Sequence, residues 1–159
     1  MKTMITEYQI VIRLLLASFL GSIVGFERER AGKVAGLRTH ALTAMGSSLL
    51  SLISLWLYYA YPSIGGAPGF DYHIVANVIV GIGFIGGGAI IRYSDRIVGT
   101  TTAASLFTVA AVGLATGLGM YFAATVTTLI CFLLLILAIY VPHNGFLPES
   151  RESQNKDSD

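Results

Sequence analysis

Five long apolar runs, separated by the few charges the chain possesses, limit what this sequence can become. They cover roughly residues 9–26, 41–61, 74–91, 101–118 and 121–141. Each approaches the ~20 residues a helix needs to cross the hydrocarbon core of a bilayer. Of the 159 residues, 54% are hydrophobic and 12% charged, about half of the ~25% that a soluble domain carries. The formal net charge is +1, too small to create a field that attracts nucleic acid, and no nucleic-acid partner is expected. The single cysteine, Cys131, excludes an internal disulfide. The pattern predicts an all-α polytopic membrane protein with five transmembrane helices, whose partner is the lipid bilayer. Its transmembrane domain would span 1–142, and the polar stretch 143–159 reads as a disordered tail. The first run is no cleavable signal peptide: it is long, no A-x-A site follows, and the "ERER" of Glu27–Arg30 reads as a membrane exit.

Charge placement predicts orientation. Arg28, Arg30, Lys33 and Arg38 lie between runs one and two, Arg92 and Arg96 between three and four, and Arg151 and Lys156 in the tail. Those eight share one side, and only Lys2 and Arg13 belong to the other. The positive-inside rule then puts the N-terminus outside and the C-terminus in the cytoplasm. Trp56, Tyr58, Tyr59, Tyr61, Tyr121 and Phe122 fall at outer ends, with Tyr93 and Tyr140 at inner ends, as an interfacial belt requires.

Within "IVANVIVGIGFIGGGAII" (74–91), Gly81, Gly83 and Gly86 spell the G-x-G-x-x-G of a dinucleotide turn. That turn needs an acidic residue ~20 positions further on, yet residues 101–111 read "TTAASLFTVAA". The glycines fit membrane packing better. Gly83 and Gly87 form a G-x-x-x-G pair, Gly81 and Gly88 lie two turns apart, and small faces let helices approach closely in lipid. A homodimer through these glycine faces is expected.

The stretch "GFERERAGKVAGLRTHALTAMGSSLL" (25–50), with "GIGFIGGGAIIR" and "VGTTTAASLFTVAAVGLATGLGMY" after it, resembles the two signatures of the MgtC/SapB membrane-protein family. Thr100 replaces the family's usual Leu and Phe107 its usual Trp, and Thr108 stands where some members carry Cys. Many members have a soluble cytoplasmic C-terminal domain, so the chain reads as a short form. The resemblance implies a bacterial inner-membrane protein in magnesium homeostasis and low-magnesium adaptation, from a family linked to virulence. It implies a modulator acting through a membrane protein partner, the F-type ATP synthase among those reported, or else a transporter or channel for Mg²⁺ or another ion.

The residues themselves offer a hard cation little. Mg²⁺ prefers one or two carboxylates with several waters, and runs two to five contain no Asp or Glu. Glu27, beside Arg28 and near Arg30 and Arg38, is expected in an ion pair. Backbone carbonyls remain as ligands, so the metal question stays open and no cofactor is expected. Glu27, Arg28, Arg30, Arg38, Thr39 and His40 converge with Arg92 and Asp95 if the two cytoplasmic loops lie side by side. Topology needs only charge. The ordered Glu-Arg-Glu and Leu-Arg-Thr pattern points further, to a patch binding an anionic lipid, a phosphate or a partner protein. Thr100, Thr101 and Thr102 are expected to cap the fourth helix. Asn77, an amide inside the third run, is expected to hydrogen-bond another helix. Ser47, Ser48, Ser51 and Ser54 read as a packing edge, and Arg13 as snorkelling to the interface. His73 and His143 are too isolated for a metal site, no nucleophile–base pair, CxxC or HExxH appears, and no enzyme is expected.

Overall fold

The computed structural model describes residues 5–60, 72–94 and 96–140, so the tail, Tyr61, Asp71 and Asp95 lie outside the described residues. Five helices follow one another: α1 (Glu7–Arg30), α2 (Leu37–Ala60), α3 (Tyr72–Gly88), α4 (Thr100–Leu118) and α5 (Tyr121–Tyr140). Among the described residues, α1, α2 and α4 are long and apolar enough to cross a membrane, while α3 and α5 offer shorter apolar stretches.

Helix ends follow local chemistry more than hydropathy. A capping box opens α1, with the Thr6 hydroxyl and the Gln9 side chain each accepting the other's backbone N–H, which satisfies two of the donors a helix start leaves orphaned. The helix then runs on through Glu27–Arg30, because charge ends an apolar run but not a helix. Four residues before its apolar run, α2 begins, where Glu29 Oε2 accepts the Leu37 N–H at 2.8 Å.

Two sequence expectations fail between α3 and α4. The third run does not stay helical to 91. It ends at Gly88, and a two-stranded antiparallel hairpin follows, β1 (Ile91–Arg92) and β2 (Ile97–Val98), pairing Ile91 with Val98 and Arg92 with Ile97. Nor do the threonine hydroxyls cap α4. The N-cap is Gly99, at φ +90, with no side-chain cap. A Cβ at Gly99 would overlap the Ala89 carbonyl, so the chain can fold back onto α3 only with glycine there.

At the centre lies α4, which packs against all four other helices. One apolar cluster joins Ala17 and Val24 of α1 to Ala44, Val109 and Leu135, and a second joins Leu20 to Val112 and Ala124. Glycine permits these crossings. A Cβ at Gly21 would sit 2.6 Å from the His40 carbonyl oxygen, and one at Gly25 2.7 Å from Leu37 Cα. On α4, Gly113 lies directly on the Ala44 carbonyl and Gly117 on that of Ser48. As expected, Ser47, Ser48, Ser51 and Ser54 are all buried on this edge of α2, and Ser51 Oγ donates to the Leu114 carbonyl at 3.1 Å. Leu15, Phe19, Leu42, Leu133 and Leu134 point outward, as side chains facing lipid do.

The glycines that stand out in the sequence are not the ones that pack inside the chain. A Cβ at Gly81, Gly83, Gly87 or Gly88 would meet nothing within 4 Å, and at Gly86 only Ala103, at 3.5 Å. We therefore expect Gly113→Ala and Gly117→Ala each to destabilise the protein by about 1–3 kcal/mol through overpacking. Gly83→Ala should be neutral or slightly stabilising. Thermal unfolding in mild detergent measures both, and equal losses at all three positions would mean α2 and α4 do not cross here.

Candidate functional site

Near the end of α1, two charged side chains are drawn inside. Glu27 and Arg28, neighbours in sequence, are both buried and paired with each other. Arg28 Nη2 donates to Glu27 Oε1 at 2.6 Å and Arg28 Nε donates to Oε2. This two-point match leaves neither carboxylate oxygen bare, the condition under which a buried ion pair is tolerable. Of the three arginines the sequence offered as partners for Glu27, the adjacent one takes it.

Beside the pair stands His40, fully buried in the first turn of α2. Its Nδ1 lies 2.9 Å from the Gly36 carbonyl and its Nε2 3.0 Å from Ser105 Oγ on α4. A carbonyl can only accept, so Nδ1 carries a proton. In neutral His40 the Ser105 hydroxyl must then donate to Nε2. The same hydroxyl lies 2.9 Å from the Thr102 carbonyl, and its one proton serves one acceptor at a time. This is a hydroxyl–imidazole pair, which sequence reading did not expect. Helices close around both side chains, so the bond acts as a brace between α2 and α4.

The sequence-derived patch thus splits. Glu27, Arg28, His40 and Thr102 are buried, whereas Arg30, Arg38, Thr39, Arg92 and Thr101 are exposed, and Asp95 lies outside the described residues. The two loops do reach the same end. Ala35 of the α1–α2 connection clusters with Ile82 of α3, with Ala89 just past that helix, and with Leu106 and Ala110 of α4. Asn77 stands apart, exposed on α3 toward α2. Among the described residues no three His, Cys, Asp or Glu side chains group together.

Three contributors escaped sequence reading. Ser105 was hidden among apolar neighbours, although its spacing of three from Thr102 places both on one face of α4. Glu29 looked like one more exit charge. Arg13 has partners that the sequence did not name. Its Nη1 donates to the Gly117 carbonyl at 2.7 Å and its Nε to Tyr121 Oη at 3.0 Å, capping the end of α4, where unpaired carbonyls attract a cation.

Fold and site together define a helical membrane protein whose charged residues brace its helix ends. The chain belongs to the MgtC family, whose model matches residues 14–142. It is 42% identical to YhiD of Escherichia coli K12, named as a candidate magnesium transporter, over 113 residues that make up 71% of this chain and 53% of YhiD. It is 36% identical to SapB of Bacillus subtilis, over 70% of this chain and 49% of SapB. With MgtC of Salmonella typhimurium LT2 it shares 36% identity over 76% of this chain and 48% of that protein. The chain spans about half the length of the curated relatives it matches. No solved structure matches it.

Breaking the buried pair should be costly. Glu27→Gln strands the Arg28 charge and is expected to lose about 3–5 kcal/mol, with much of this regained in the Glu27→Gln, Arg28→Met double variant. Denaturant titration of the three proteins reads the difference. A separate cycle with His40→Ala and Ser105→Ala should show a coupling of about 1 kcal/mol. Strict additivity there would mean the brace is absent.

Proposed function

We propose that the protein is a non-enzymatic, multi-pass factor of the bacterial inner membrane in magnesium homeostasis and low-magnesium adaptation. It works by binding a membrane protein partner at its cytoplasmic face. The observation that carries this reading is the state of Glu27. It is the one buried carboxylate among the described residues, and Arg28 occupies both its oxygens. A carboxylate so held is not free to replace water around Mg²⁺. Arg30, Arg38, Thr39 and Arg92, all exposed, suit recognition instead. In this reading all five helices span, with the N-terminus outside, and the F-type ATP synthase is the partner that family resemblance suggests.

One substitution tests the patch. Arg38→Lys keeps the charge but loses the planar fork, and growth at low magnesium should fall toward that of the deletion strain. Full activity with Lys would reduce the patch to a topology signal.

The second reading is transport of Mg²⁺ or another ion, favoured by the name that YhiD carries and by the Asn77 amide facing an open groove. Purified protein in liposomes loaded with a magnesium-sensitive dye separates the two. The modulator reading expects influx no faster than in protein-free vesicles. Influx faster than in protein-free vesicles, and abolished by Asn77→Ala, would establish transport in its place.

A further inference from the structure

The Ser105 hydroxyl stands between two acceptors. His40 Nε2 lies 3.0 Å from its oxygen on one side, and the Thr102 carbonyl 2.9 Å on the other. A brace between α2 and α4 needs only the first. While His40 is neutral, the single Ser105 proton serves Nε2. Once Nε2 carries a proton of its own, the ring donates to Ser105 Oγ and the hydroxyl proton turns to the Thr102 carbonyl. Nδ1 keeps the Gly36 carbonyl throughout, at 2.9 Å. Every donor thus finds an acceptor in either charge state, and no heavy atom has to move.

Ser105 also borders a space that water can enter. A groove of about 280 Å³ runs between α4 and α5, lined by Thr101, Ser105 and Thr108 of α4 and by Thr127 of α5. One water needs only about 10–15 Å³ of such space, and the hydroxyls give it partners. Spacings of four and three put the α4 hydroxyls on one face of that helix, and the row begins at Thr101, which is exposed.

We propose that His40 is a proton-loading switch, filled and emptied through Ser105 by water in the α4–α5 groove. In loading, a hydronium ion gives a proton to Ser105 Oγ while the original Ser105 proton passes to His40 Nε2. The hydronium leaves as water, Ser105 is again a neutral hydroxyl, and His40 is an imidazolium. Unloading is the reverse. The neighbours suit a charge that comes and goes. On α1, Arg28 repels the imidazolium and Glu27 attracts it, while Glu29 is engaged with the Leu37 N–H. Arg38 on α2 is exposed, α3 and α4 bring no ionisable side chain to this end, and α5 brings the Cys131 thiol. Hydrogen bonds from a charged ring are roughly twice as strong as neutral ones, so loading tightens the α2–α4 brace. The switch does not depend on what the cytoplasmic face binds.

Nitrogen NMR of the full chain in lipid nanodiscs tests this. The chain has three histidines, and His73→Gln with His143→Gln leaves His40 alone to carry the ¹⁵N label. Near neutral pH, Nδ1 should be protonated and Nε2 bare. On acidification Nε2 should gain a proton in one reversible step, ending with both nitrogens protonated. Ser105→Thr, which keeps a hydroxyl, should preserve this behaviour. Ser105→Ala should slow proton exchange at Nε2 by about 100-fold or more, the scale of a positioned proton-transfer group. An Nε2 already protonated near neutral pH would overturn the proposal, as would exchange equally fast in Ser105→Ala. So would an Nε2 still bare at about pH 4, more than two units below histidine's ordinary value, and that titration needs no substitution at Ser105.

Discussion

The contact of α4 with the backbone of α2 governs the rest of the molecule. In lipid there is no hydrophobic force to press two apolar helices together, so association depends on close packing and on hydrogen bonds. Gly113 and Gly117 provide the packing by lying on the carbonyls of Ala44 and Ser48, and Ser51 adds a hydrogen bond to the Leu114 carbonyl. Because α4 touches every other helix, its seat on α2 also fixes where α1, α3 and α5 can stand. A methyl group at that crossing would push apart the axis around which the bundle is assembled.

Polar ties then secure the two ends of this axis. At one end His40 reaches Ser105 across the helices, with the Glu27–Arg28 pair beside it and Glu29 holding the start of α2. At the other, Arg13 joins the last turn of α4 to Tyr121 at the start of α5. Four charged side chains, Arg13, Glu27, Arg28 and Glu29, therefore serve as fasteners. The helix that receives least of this treatment is α3, which keeps an unsatisfied amide and open glycines on its surface.

Hydropathy made the helices legible, since each of the five apolar runs corresponds to one helix and the boundaries of α4 and α5 agree within a residue. It misplaced the ends of α1, α2 and α3 because those ends are set by side-chain caps and by Gly99, which an apolar count does not see. The dense glycine run at 81–88 drew attention for its density, yet the glycines that pack inside the chain are Gly21, Gly25, Gly113 and Gly117. What distinguishes them is the carbonyl, Cα or side chain opposite, and that partner is known only once the helices are placed. The same holds for the site. That Glu27 would be paired was readable from its neighbours, but not that it would be buried. Ser105 and His40 are 65 residues apart, a separation that no local pattern spans.

Glu29 closing onto Leu37 lets α1 and α2 zip together through contacts that are local in the chain, with Gly21 and Gly25 meeting residues fewer than 25 positions away. Their third partner is still unmade at that moment. Until residues 105–117 emerge, His40, Ser48 and Ser51 border a slot with nothing in it, and polar groups in such a slot have no lipid substitute. The early hairpin is therefore an unfinished mould, and the order of synthesis delivers the key, α4, only after α3.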